Sequence, residues 1–318
     1  MTERFARRRS LSDRLADRSF RLLTLAAALF FVVLLGAIVW KVLAGARLAF
    51  DRFGFGFVTS RAWDPVTNHF GALDFVFGTV YTTALAILLA APVSIAIALF
   101  LTKIAPRWLA TVAATLVEML AAIPSVVLGL WGILVLGPFL ADHLDPFLRR
   151  TLGFLPFFRG DVPSAGTGLL TAVIVLAIMA TPIIASVSRE LFLTVPHELE
   201  DGAYALGLTR WEVIRGVVIP ATRSGLVAAV ILGVGRALGE AIAVTQVIGG
   251  QTGIHLSLFG AGDTLASRIA AQYQGAASRI HVSSLVYLAA VLLVITVFAN
   301  LIAQLIVRRF EFQRTGAD

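Results

Sequence analysis

Arg236 and Glu240 stand inside the otherwise apolar run Ser224–Ile248. A charge in the middle of a bilayer costs at least ~2.5–3.5 kcal/mol on insertion scales, so two of them require a reason. Four-residue spacing on a helix places both on one face, where they can pair. A guanidinium presents a planar fork that bonds two oxygens of a tetrahedral oxyanion at once. Two readings follow. The face lines a pathway, with Arg236 meeting an anionic solute and Glu240 orienting it or balancing its charge. Otherwise the two form a structural ion pair within a helix bundle. Gly235 and Gly239 make a GxxxG on the same run, and Gly225, Ala229, Gly233 and Ala237 a second small stripe; both admit close helix packing.

A second informative stretch is 189–223. Pro196 suits the first turn of a helix. Glu198, Glu200 and Asp201 follow it and place acids near the positive end. Gly207 stops the helix by taking a left-handed conformation. Thr209 and Glu212 have capping-box spacing for a second helix, which Pro220 ends or passes on to the next element. Trp211, Val213, Ile214 and Val217 give that helix apolar faces. The hairpin either lies on the bilayer surface or docks a partner.

The elements that carry these residues are membrane helices. Of 318 residues 58% are hydrophobic and 14% charged, with a formal charge of +7 and no cysteine. Mean hydropathy is +0.89. An average soluble domain is roughly a quarter charged, so a soluble enzyme, a disordered regulator and a nucleic-acid-binding domain are excluded. A disulfide framework or thiolate metal site is excluded by the lack of cysteine. About 20 apolar residues span a bilayer as a helix. Six stretches qualify: Leu22–Trp40, Phe75–Thr102, Met119–Ala141 (beginning near Leu109 if Glu118 is tolerated), Val162–Ser188, Ser224–Ile248 and Ile280–Val307. Leu22–Trp40 is longer than the core of a cleaved signal, so it is expected to stay as a span. Pro92, Pro124, Pro138 and Pro182 lie within spans and are expected to kink or break them, although proline is common in membrane helices. The N-terminus, 103–107, 189–223 and the tail hold sixteen Lys and Arg, against nine in the opposite loops. Both termini are therefore expected on the cytoplasmic side of a plasma (inner) membrane. The expected organisation is a cytoplasmic segment 1–21, a first transmembrane helix 22–46, an extracytoplasmic loop 47–74, a core 75–307 that carries the cytoplasmic segment 194–220, and a cytoplasmic tail 308–318.

Asp201-Gly202-Ala203, then Gly207, then Val217-Val218-Ile219-Pro220 resembles the EAA loop of ABC importer permeases, E-A-A-x3-G-x9-I-x-L-P. Asp201 stands where the loop has Glu, Gly202 where it has Ala, and Glu200 lies one place early. The resemblance implies that Asp201, Gly202, Ala203, Gly207 and Pro220 belong to a coupling helix that sits in a groove of an ATPase subunit. Gly235-Arg236-Ala237-Leu238-Gly239-Glu240-Ala241-Ile242-Ala243-Val244 and Ile123-Pro124-Ser125-Val126-Val127-Leu128-Gly129-Leu130-Trp131-Gly132 resemble signatures of phosphate-importer permeases. Trp63-Asp64-Pro65, Phe70-Gly71-Ala72-Leu73 and Phe77-Gly78-Thr79 resemble the segment entering their second helix. The wording is similar to the PstC-type subunit rather than its PstA-type partner. Such a likeness implies an all-α polytopic membrane protein with six transmembrane helices and the ABC type I importer permease fold. Its implied partners are a PstA-type second permease, an ATPase dimer, an extracytoplasmic phosphate-binding protein and membrane lipid, with no nucleic acid. It also implies that ATP and Mg are bound by the ATPase subunit and that this chain needs no cofactor.

The residues themselves leave other classes open. A permease for molybdate or sulfate would share the buried Arg236. In an ion-coupled secondary carrier Arg236 and Glu240 would form a proton relay. A membrane assembly or sensor protein would transport nothing. No Walker A motif is present, the five histidines lack metal-site spacing, and the Gly-rich run around Arg236 follows no strand. Glu118, Arg189 and Glu190 read as snorkelling ends of spans. The loop 249–279 is either a contact for a solute-binding protein or a connector.

Overall fold

The computed structural model describes residues 11–161 and 166–315. The arginines at 4 and 7–9, the start of the expected fourth span at 162–165 and the last three residues lie outside them. Among the described residues six helices are long and apolar enough to cross a membrane: Asp17–Phe53, Leu73–Ile104, Ser125–Leu152, Leu169–Leu193, Arg210–Gly239 and Arg279–Val307. The number agrees with the hydropathy of the sequence, and several ends differ from it.

The first helix, α1 (Leu11–Phe53), runs well past the expected end. Its last turns are held by packing: the Ala49 N–H donates to Ser283 Oγ at 2.9 Å, and Ser283 Oγ donates to the Gly45 carbonyl at 2.8 Å. From Asp17 to Ile38 every residue of α1 is exposed. A short helix, α2 (Gly56–Thr59), and a two-residue hairpin, β1 (Trp63–Asp64) against β2 (His69–Phe70), lead into α3 (Leu73–Leu99). The Asp64 carboxylate closes the hairpin by accepting from Val66 N–H at 2.9 Å and from the Thr67 hydroxyl at 2.6 Å. Those bonds, led by the Thr67 hydroxyl, hold its pKa below the usual carboxylate range.

A π-helical turn, Phe100–Ile104, ends α3. The chain then forms α4 (Arg107–Ala122), which belongs to no span. The third span was expected from Met119 or earlier, but it starts at Ser125. Ile123 and Pro124 are extended (ψ 125° and 137°) because a residue before proline is driven out of the α region and proline has no N–H for the preceding turn. From there α5 (Ser125–Trp131), α6 (Gly137–Phe139) and α7 (Asp145–Leu152) run as one rod through two π-helical turns, Gly132–Leu136 and Leu140–Leu144.

The hub of the fold is α8 (Leu169–Leu193). Its helix continues through Pro182, as α3 continues through Pro92. It packs on α3 and on α11 (Ile219–Gly239), and its Leu169, Ala172, Val173, Leu176 and Ile184 fill the main core. The loop after α12 (Ile242–Val247) folds over the start of α8. Gly168, Leu169 and Leu170 N–H groups donate to the carbonyls of Val247, Gly260 and Leu258, at 2.8, 3.0 and 2.8 Å. These bonds satisfy donors that every helix start leaves open. The same loop carries α13 (Leu265–Gln272), opened by a capping box between Thr264 and Ser267. The last helix, α14 (Arg279–Thr315), packs on α1, α11 and α13.

Candidate translocation and coupling sites

The expected pairing of Arg236 with Glu240 along one helix face is not what the chain builds. α11 ends at Gly239, and Glu240 is extended (φ −75°, ψ 118°). The i,i+4 geometry that would face the two groups exists only while the helix continues. Glu240 instead turns to the next element, and its Oε1 accepts the Ala243 N–H of α12 at 3.2 Å. Arg236 is exposed on the last turn of α11 and makes no hydrogen bond or ion pair among the described residues. Leu232 and Gly239 flank it on the same open face.

The glycine expectations separate in the same way. A methyl added at Gly235 or Gly239 meets no atom within 4 Å, so the GxxxG makes no close helix contact among the described residues. Gly235 lines an apolar groove of about 430 Å³ between α11 and α14. Close packing belongs to the other stripe. A methyl at Gly225 would lie 2.5 Å from a Leu191 methyl, one at Gly233 would lie 2.6 Å from Ile184, and Ala229 and Ala237 are buried. The reason is rotational. Gly225, Ala229, Gly233 and Ala237 repeat every four residues on the side turned to α8, and Leu232, Arg236 and Gly239 form the exposed strip beside it.

Two stretches far apart in sequence meet behind this face. α12 packs on α5, and Gly129 is the contact: an added methyl would lie 2.8 Å from Ala243 Cα and 2.8 Å from Gln246 Oε1. Gly132 accepts Val247 in the same manner at 2.7 Å. The break after Gly239 and the break at Ile123–Pro124 thus belong to helices that lock together. Broken helices at membrane depth are tolerated where they are buried in protein or line a polar cavity.

At the opposite end of α11 lies the segment with coupling-loop wording. α9 (His197–Ala205) begins after Pro196 and ends at Gly207, which takes φ +82°. Gly207 N–H donates to the Tyr204 carbonyl at 2.9 Å, and Leu208 N–H to the Ala203 carbonyl at 3.3 Å, a glycine stop of the expected kind. Ala203 is buried, and Asp201 and Gly202 are exposed. The second helix, α10 (Arg210–Val213), opens with the capping box: Glu212 Oε2 accepts Thr209 N–H at 2.8 Å and Thr209 Oγ1 accepts Glu212 N–H at 3.4 Å. Pro220 does not end it. A π-helical turn, Ile214–Val218, precedes the proline, and α10 runs on into α11 as one long helix. Leu199, Tyr204, Leu206 and Trp211 leave large apolar side chains exposed around Asp201.

Three polar clusters lay outside the sequence-based candidates. Lys103 Nζ pairs with Glu200 beneath α9. Arg268 donates to Asp263 at 2.7 Å and to the Gly250 carbonyl at 3.1 Å, and lies 4.8 Å from the Phe75 ring centre. Burial pushes the Asp263 carboxyl above the usual range, with Arg268 drawing it back. Arg189, expected to snorkel, instead bridges Glu118 of α4 at 3.8 Å and Glu190 at 3.2 Å.

An all-α membrane protein whose fifth span ends at Gly239 and is preceded by a capped helical hairpin is the class these features define. Residues 92–312 match the family described as binding-protein-dependent transport system inner membrane component. The chain is 45% identical over 307 residues to a phosphate transport system permease protein PstC of Xylella fastidiosa, covering 95% of this chain and 94% of that one. It is 45% identical over 305 residues to the protein of the same name in Mesorhizobium japonicum (95% and 93% covered). It is 40% identical over 266 residues to PstC 1 of Mycobacterium tuberculosis (81% and 78% covered). In fold it is similar to a chain of a bacterial ABC transporter importing the acidic polysaccharide alginate (TM-score 0.61, 19% identity, 92% and 98% covered). It is likewise similar to a chain of the MetNI methionine transporter in an inward-facing conformation (TM-score 0.55, 21% identity, 74% and 94% covered). The chain belongs to the binding-protein-dependent transport system inner membrane component family, in its PstC group.

Proposed function

We propose that this chain is one of two permease subunits of an ATP-driven importer of inorganic phosphate. The observation that carries the proposal is Arg236: an exposed guanidinium on an apolar spanning helix, with its bonding capacity open. Such a group does not sit against hydrocarbon; it faces a water-filled or protein-lined path. A tetrahedral oxyanion fits its fork, and the PstC relatives name phosphate as the solute. The open face of Leu232, Arg236 and Gly239 turns toward a PstA-type partner subunit. Its pathway opens alternately to each side of the inner membrane, with both termini cytoplasmic. Glu240 holds the broken helix that presents Arg236.

Energy enters at the other end. Asp201, Gly202 and the apolar side chains around them dock an ATPase dimer that binds ATP and Mg. Ala203, Gly207 and Pro220 shape the segment that docks. An extracytoplasmic phosphate-binding protein delivers the solute, so the permease needs only a weak, transient anion site.

The test is reconstitution. Proteoliposomes holding this chain, a PstA-type permease, the ATPase and the binding protein are expected to accumulate phosphate only with ATP inside. Arg236→Gln is expected to abolish uptake while the complex still purifies whole. Uptake by this chain alone would identify an ion-coupled carrier, and preferential uptake of molybdate or sulfate would reassign the solute.

A further inference from the structure

Glu200 and Asp201 are adjacent, yet they face opposite ways. Asp201 is exposed on the outer surface of α9; Glu200 points inward and pairs with Lys103, each side chain 11% exposed. Lys103 stands on the π-helical turn that finishes α3, one of the two helices α8 packs on most. The other inward residue of α9, Ala203, enters an apolar cluster with Ala98, Phe192, Val195, Val213 and Val218. Apolar contact is non-directional, and such surfaces can slide. A desolvated ammonium–carboxylate pair is directional, and separating it strands a charge. Buried ion pairs are weak contributors to stability, since well-packed apolar residues often replace them at no loss. Stability alone therefore gives little reason for one in this place.

We propose that Lys103 and Glu200 are positioning residues that fix α9 to the end of α3, so that displacement of the docked coupling helix is carried into the α3–α8 core. The proposal rests on the functional reading above, and its test separates the two. The protein has no cysteine, so spin labels can be placed at Ile104→Cys and Leu206→Cys, both exposed. The chain is studied in the assembled importer, with Lys103→Met/Glu200→Met as the variant that removes the pair without stranding a charge, and Lys103→Arg as the conservative one. The label-to-label distance distribution is expected to be narrow in the parent and in Lys103→Arg, and broad in the double variant, with and without ATP. Phosphate imported per ATP hydrolysed is expected to fall at least tenfold in the double variant and to be kept by Lys103→Arg, with ATPase co-purification unchanged. An unchanged distance distribution in the double variant overturns the proposal, whatever the parent transports. Unchanged coupling despite broadening overturns it too, as does failure of the double variant to assemble, because the pair would then serve folding. Absence of phosphate uptake by the parent would overturn the functional reading and leave the distance measurement to decide the strut.

Discussion

Glu240 accepts the Ala243 N–H at 3.2 Å, one residue beyond the end of the helix that carries Arg236. The acid thus belongs to α12 and the base to α11, although four-residue spacing would pair them on an unbroken helix. The bond ties Glu240 to a short helix that is itself locked against α5 through Gly129. Arg236 is thereby left unneutralised by its nearest acid.

The first prediction concerns exchange of the two charges. Were they a structural pair, Arg236→Glu with Glu240→Arg would restore what each single change removes. Here neither new side chain finds its old partner: an arginine at 240 cannot accept the Ala243 N–H, and a glutamate at 236 presents an anion to the solute. Uptake in proteoliposomes is expected to stay abolished in the exchanged variant. Glu240→Gln keeps an acceptor oxygen, so it is expected to retain more uptake than Glu240→Ala, which loses a helix-start bond of about 1 kcal/mol.

The second prediction concerns Gly129. An added methyl would meet a backbone atom, Ala243 Cα, at 2.8 Å, and backbone cannot move aside as a side-chain tip can. Gly129→Ala is expected to cost about 1–3 kcal/mol, the usual penalty of overpacking, and to lower the thermal midpoint of the purified chain. Gly235→Ala, with open space around it, is expected to leave that midpoint within the range of a neutral surface change, about 0.5 kcal/mol.

The two glycines also show how far the residues alone could be read. Hydropathy exposed six spans because each had to match a bilayer, and cap spacing exposed the hairpin around Gly207 because those bonds are local. Helix breaks were harder. Gly239-Glu240-Ala241 contains no proline, and its break depends on α12 packing against α5, a contact between residues more than a hundred positions apart. The choice between two small stripes on α11 likewise depends on which face α8 covers. Lys103 and Glu200 are ordinary charges in their own neighbourhoods; only the fold puts them together.

The third prediction concerns docking. Asp201 is exposed, so Asp201→Lys is expected to fold and insert normally while ATPase co-purification falls at least tenfold. Gly207 is at φ +82°, where a side chain costs about 1–2 kcal/mol and the fixed φ of proline cannot reach. Gly207→Ala is expected to weaken co-purification moderately and Gly207→Pro to remove it, with membrane insertion kept in both.

The fourth prediction follows from Asp263 and Arg268, joined at 2.7 Å. Burial holds the Asp263 carboxyl above its ordinary value even with Arg268 beside it. A raised acid binds its proton more tightly in the folded than in the unfolded chain. Its favourable contribution is therefore full below the unfolded value and declines as pH rises through the folded one. Removing the guanidinium raises the folded value further and leaves a buried anion unpaired near neutrality, a loss of about 3–5 kcal/mol for a broken buried pair. Arg268→Met is therefore expected to melt well below the parent at pH 7, with the gap narrowing toward pH 4 as Asp263 takes up its proton. Adding Asp263→Asn removes the ionisable group, so the double variant should recover much of the midpoint at pH 7 and lose the pH dependence of the gap. Thermal melts of the three proteins across that range check both statements. A gap in Arg268→Met that stays constant with pH would mean that the loss comes from the guanidinium's packing over Phe75, not from its charge.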